Sequence, residues 1–165
     1  MWRAKLPSLT LVELVVAMAI TVLLLGGAVS FFTRDSITRD LEDQGKLVAT
    51  FIERARNYAL NPDAIDVGKS GKDALAYAVE FNSSQSIVIA RQDKGSIVFN
   101  NVSGEELVLS EDYEFKTFSR IDFTAGTGRY EGTKAVVVIK KKGKESPYAI
   151  VEVSDPGGVD VKVQE

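Results

Sequence analysis

The sequence contains no cysteine and no histidine. Without cysteine the fold has no disulfide, no thiolate zinc site and no thiol nucleophile. Without histidine it loses the usual general base, the commonest metal ligand and every Ser/His/Asp arrangement. Only carboxylates, hydroxyls and lysines remain to support catalysis, so the reading is of a protein that is not an enzyme, with no cofactor and no metal. Strong positive charge is also missing: the net charge is −3 and the pI is near 5.2. That balance does not describe a general nucleic-acid binder held by phosphate attraction. At 165 residues the chain has room for one ordinary domain besides an apolar N-terminus.

A long uncharged run is present. No charged residue lies between Leu14 and Phe32, and at about 1.5 Å per residue a helix of that length covers roughly the 30 Å hydrocarbon core of a bilayer. Arg3 and Lys5 precede it, so the positive-inside tendency puts the N-terminus in the cytoplasm and the bulk of the chain outside. One carboxylate, Glu13, sits at the start of the run. A secretory signal cut after Ser30 accounts for the basic start and the small residues Ala28-Val29-Ser30, but not for the length or the acid. An ordinary single-pass anchor accounts for the length and leaves Glu13 as an interfacial residue reaching toward water.

The stretch "SLTLVELVVAMAITVLLL", with Leu9-Thr10-Leu11-Val12-Glu13, resembles the N-terminal signature of type IV pilins and pseudopilins. The resemblance implies a leader over residues 1–8 and a cut by a prepilin peptidase between Ser8 and Leu9. Leu9 would become a methylated first residue. The family normally has Gly where Ser8 stands and usually Phe where Leu9 stands. Glu13 would be the fifth residue of the mature chain, paired with the terminal amine of a neighbouring subunit. An opposite charge in low dielectric offsets much of the cost of an acid at that depth, about 2.5 to 3.5 kcal/mol on insertion scales.

After Phe32 the helical period continues as an amphipathic stripe of Ile37, Leu41, Val48, Phe51, Ile52, Ala55, Tyr58 and Ala59. Asp35/Arg39 and Glu42/Lys46 are at i,i+4 spacing on the solvated side. Gly45 weakens the middle of the helix, and Asn61-Pro62 should end it. Beyond a loop over residues 62–73 the period changes to two. Strands are expected at 76–81, 86–91, 96–100, 106–110, 113–118, 120–124, 134–141, 147–153 and 159–163, with Ser103-Gly104 among the turns. The expected fold is therefore α+β: a leader at 1–8, a membrane-spanning helix half at 9–33, an amphipathic half at 34–61, and an antiparallel β domain at 62–165 on the apolar stripe. "LVATFIERARNYAL" and "IDFTAGTGRYEG" resemble minor pilins and H-type pseudopilins, in which a similar helix end precedes two sheets.

Other candidate sites are weaker. Gly126-Thr127-Gly128 lacks the Gly-Lys-Ser/Thr ending of a phosphate loop and reads as a turn. Asp155 and Asp160 around Pro156-Gly157-Gly158 offer oxygen ligands but match no EF-hand spacing. Glu105/Glu106 and Glu111/Asp112 read as solvated edges. Lys140, Lys141, Lys142 and Lys144 form a basic hairpin that could meet DNA or another anion, or simply guard a sheet edge; no aromatic interleaves them to stack a base.

Together these readings describe a structural subunit of a type IV pilus, a type II secretion pseudopilus or a competence pilus, assembling through its N-terminal helix. The resemblance implies as partners the prepilin peptidase, other pilin or pseudopilin subunits and the inner-membrane assembly machinery. Membrane lipid would hold the chain before assembly, in the cytoplasmic membrane with the β domain outside. The alternative is a membrane-anchored extracytoplasmic binding module that contacts DNA through the lysine hairpin.

Overall fold

The computed structural model describes residues 10–62 and 73–164, with residues 27–35 described in backbone only. The leader, Ser8, Leu9 and most of the 62–73 loop lie outside the described residues. The chain divides into two compact units, residues 1–37 and 38–165.

One helix, α1, runs Leu11–Leu60 through both units. Its start is a capping box. Thr10 Oγ1 accepts from the Glu13 N–H at 3.3 Å, while Glu13 Oε2 accepts from the Thr10 N–H at 2.9 Å and from its hydroxyl at 2.8 Å. Its end is where the proline predicts: the Asn61 N–H still bonds back to Asn57 O at 3.0 Å, and the helix stops at Leu60. In the first unit the large apolar side chains from Leu11 to Leu25 are exposed on every side of the helix. Among the described residues no helix is long and apolar enough to cross a membrane. The described side chains of this run stop at Gly26, short of the roughly 20 residues a span requires.

The second unit is α1 from Thr38 onward with two antiparallel sheets. The strands are β1 Ala74–Ser83, β2 Ser86–Asp93, β3 Phe99–Val108, β4 Tyr113–Thr117, β5 Ile121–Thr124, β6 Arg129–Tyr130, β7 Lys134–Lys141, β8 Tyr148–Ser154 and β9 Gly158–Gln164. One sheet has the order β3-β2-β1-β5-β6 and the other β4-β7-β8-β9. Alternation sets their inner faces: Ala135, Val137 and Ile139 of β7 and Ala149, Val151 and Val153 of β8 are buried, with half-exposed neighbours between them. Leu41, Val48, Ile52, Ala55 and Ala59 of the helical stripe have no solvent exposure. The two sheets meet where the Phe115 N–H of β4 bonds Ser84 O, in the turn between β1 and β2, at 2.8 Å.

Three details depart from the sequence reading. The expected strands at 96–100 and 106–110 are one strand, β3, and Ser103-Gly104 is no hairpin turn. The β2–β3 register passes from Val88↔Glu106 to Ala90↔Asn101, so residues 102–105 bulge opposite Ile89, with Gly104 at φ +82. The two-residue strand β6 was not expected, because it pairs only through Phe123↔Tyr130 and Thr124↔Arg129. The lysine hairpin guards no edge, since β7 lies between β4 and β8.

Gly45 has a positive role. A Cβ there would stand 2.7 Å from Val161 Cγ1 and 3.6 Å from Ala149 Cβ, so the missing side chain lets α1 approach β8 and β9. Alanine gains about 1 kcal/mol of helix propensity but meets an overpacking cost of about 1 to 3 kcal/mol against a stiff valine. The expected result for Gly45→Ala is a net loss of about 1 kcal/mol in urea melts. A gain equal to the propensity term would show that the contact yields freely.

Candidate functional site

The sequence-predicted residues fall in two units, with Ser8 and Leu9 outside the described residues. Glu13 lies in the first unit, and its carboxylate is occupied by Thr10 as described above. The four lysines lie in the second unit, at the end of β7 and in the turn after it. Lys140 Nζ is 3.5 Å from both Glu114 and Glu145, and Lys141 Nζ is 3.4 Å from Asp112. Lys142 and Lys144 are exposed and make no ion pair among the described residues. Their turn is well built: the Lys142 N–H bonds Asp112 O at 2.8 Å, the Lys144 N–H bonds Lys141 O at 3.1 Å, and Gly143 takes φ +72.

The weaker candidates are engaged within the fold. The Gly126 N–H that a phosphate would need is bonded to Ala59 O at 2.7 Å. Asp155 is held bidentately by Arg129 at 3.0 and 2.9 Å, and this partner keeps its carboxyl below the ordinary range. Asp160 sits 3.1 Å from Lys162, and among the described residues no three carboxylates converge. An open cleft of about 450 Å³ is lined by Thr124, Arg129, Tyr130, Glu131, Gly132 and Asp155. Its charges are spent internally, Arg129 on Asp155 and Glu131 on the Thr124 hydroxyl at 2.8 Å.

The structure adds a clasp around the end of α1. Arg56 Nε donates to Gly128 O at 3.2 Å, and its side chain lies against Gly157. The β5–β6 turn thereby holds the helix at two points, Ala59 O and Arg56. On the neighbouring face Glu105, placed by the β3 bulge, accepts from Tyr58 Oη at 2.6 Å and from Arg54 Nη1 at 3.2 Å. Arg54 and Tyr58 are four apart on α1 and so share a face, a signal present in the sequence. Their acid is far along the chain, and nothing local points to it.

Tyr58 titration gives this cluster a measurable signature. Burial first, then the Glu105 hydrogen bond and charge, push the phenol from 10.0 up to about 12. Burial also raises Tyr113 and Tyr130. A raised folded pKa means that the native state keeps a proton the unfolded chain has already released. The associated stability is complete below pH 10 and declines toward pH 12. Tyr58→Phe should flatten the fall of stability with pH over that window in urea melts; identical slopes for both proteins would contradict the assignment.

A long N-terminal helix packed on two antiparallel sheets is the α+β fold of the type IV minor pilins. The chain is similar to the minor pilin FimU of Pseudomonas aeruginosa, with a TM-score of 0.52 at 15% identity over 82% of this chain and 97% of that one. A second crystal form of FimU gives 0.52 at 14% identity, over 76% and 98%. A weaker likeness, 0.46 at 14% identity over 72% and 94%, extends to the minor pseudopilin EpsH of the type 2 secretion system of Vibrio cholerae. No family model and no curated protein matches the sequence. At these identities the likeness establishes the fold.

Proposed function

We propose that the chain is a pilin-like structural subunit, held in the cytoplasmic membrane by residues 9–33 and assembled into a pilus or pseudopilus through that helix. The observation that carries this reading is the conjunction of Leu9-Thr10-Leu11-Val12-Glu13 at the head of α1 with a minor-pilin fold behind it. Either alone is weaker, because short motifs recur and folds host many functions. In this reading a prepilin peptidase removes residues 1–8, Leu9 becomes the methylated N-terminus, and Glu13 pairs with the Leu9 amine of a neighbouring subunit. None of these steps asks the chain itself to catalyse a reaction. Assembly requires only that exposed apolar helices bury each other and that one charge pair sets their register.

N-terminal sequencing of the membrane-extracted protein tests the first step. The expected mature chain begins at Leu9. A chain beginning at Phe31 would mark a discarded signal and overturn the subunit reading, and one beginning at Met1 would leave a simple anchor.

A further inference from the structure

We infer that the β7–β8 hairpin of this chain docks on the anionic lipid headgroups of the membrane that anchors it, with Lys142 and Lys144 as the contacting cations. The inference rests on the membrane-anchored reading above and adds a second point of attachment to it. Its basis is position. Gly45 of α1 lies against Ala149, and Arg56 lies against Gly157, so helix and β8 run in the same sense. The hairpin precedes Ala149 and therefore lies at the end of the second unit where the helix begins, at Thr38. The contact of Lys142 N–H with Asp112 O, together with the neighbouring Tyr113 that feels the charge of Asp40, fixes the same end independently.

Chain length then limits where that end can go. Phe32 is the last apolar residue before Arg34 ends the uncharged run, and the stretch from Phe32 to Thr38 cannot exceed roughly 20 Å even when fully extended. The tether holds this end within that length of the proposed anchor. Glu114, Glu145 and Asp112 neutralise Lys140 and Lys141, whose side chains are 16% and 29% exposed. Lys142 and Lys144 stay exposed on a turn whose backbone is already satisfied, so lipid phosphates have no internal partner to displace. Phe81 at the same end is 48% exposed, its ring 5.7 Å from that of Phe118, which supplies the aromatic element common at membrane interfaces. A nucleic acid is the less favoured occupant. Two unpaired lysines on a chain of net charge −3, with no aromatic between them, make a poor phosphate track but a sufficient one for a tethered surface contact.

The chain has no native cysteine, so Ser146→Cys in this hairpin provides a single labelling site. The labelled full-length chain is reconstituted in vesicles of phosphatidylcholine, and of phosphatidylcholine with phosphatidylglycerol, each carrying a quencher on the headgroups. The expected result is strong quenching only with the anionic lipid. The docked-to-undocked ratio should fall roughly 30-fold in Lys142→Gln/Lys144→Gln and fall again at high salt. Neither lysine side chain makes an ion pair among the described residues, so the variant should keep the parent melting curve, which confirms that it folds. Equal quenching in both lipids, or quenching unchanged in the double variant, overturns the inference. So does the variant losing retardation of a duplex oligonucleotide while its quenching stays the same, which assigns the lysines to nucleic acid. Flotation separates the two readings: a chain that fails to float with the vesicles overturns anchoring and docking together, and one that floats undocked overturns docking alone.

Discussion

Glu13→Gln should reduce filament formation at least about tenfold, counted by sheared-filament yield, while the second unit melts as in the parent. The substitution is chosen because the structure gives the acid a role that glutamine can also fill. In the capping box Glu13 accepts from the Thr10 N–H and hydroxyl, and an amide oxygen at the same place accepts both. The helix start is therefore kept and only the charge is lost. If capping were the whole reason for an acid here, the variant would assemble normally. If the carboxylate pairs with the Leu9 amine of a neighbour, the variant leaves a cation without its partner in low dielectric, and breaking such a pair from one side costs about 3 to 5 kcal/mol. Thr10→Ala is the reciprocal control. It removes the cap at a cost of about 1 kcal/mol but leaves the charge, so it should assemble far better than Glu13→Gln. Equal assembly by the parent and Glu13→Gln would sink the register pairing while leaving the fold untouched.

How far the sequence revealed this arrangement depended on whether the controlling signal was local. The period of 3.6 between Leu41 and Ala59 and the proline at 62 are local, and α1 ends at Leu60 with that stripe enclosed. The strand alternation of β7 is equally local, and Lys134–Lys141 is found at the expected residues. The β3 bulge is not. Ser103-Gly104 carries the chemistry of a turn, and Gly104 does take a positive φ, but pairing on both sides with β2 keeps the strand going. Long-range pairing overrode turn propensity there. The same holds for the sites. Glu13 stood out because an acid is costly in an apolar run, and the lysine cluster because like charges are adjacent. The Arg54–Tyr58–Glu105 cluster and the Arg56–Gly128 clasp were hidden, because each joins α1 to a strand or turn whose place depends on the finished sheet. Gly45 was read as a weak point for the same reason; its close partner, Val161, is named only once β9 is laid beside the helix.

The clasp carries the second large effect. Gly128→Val should destabilise the second unit by about 3 to 5 kcal/mol, lowering its melting temperature by roughly 10 °C or more. Two costs combine at this position. Gly128 sits at φ +58, a left-handed conformation that a β-branched residue scarcely adopts. An added Cβ would also stand 2.6 Å from Leu60 Cγ and 3.3 Å from Arg56 O, so the last turn of α1 must retreat or the turn must open. Retreat has its own cost, because Arg56 donates to Gly128 O and Ala59 O accepts from the Gly126 N–H. Gly126 separates the two terms: it has φ +85 but open space where a Cβ would go. Gly126→Ala should therefore lose only the backbone term, about 1 to 2 kcal/mol, and Gly128→Ala should lose distinctly more. Equal losses for the two alanine variants would show that the close approach of turn and helix contributes nothing, and that the turn glycines serve conformation alone.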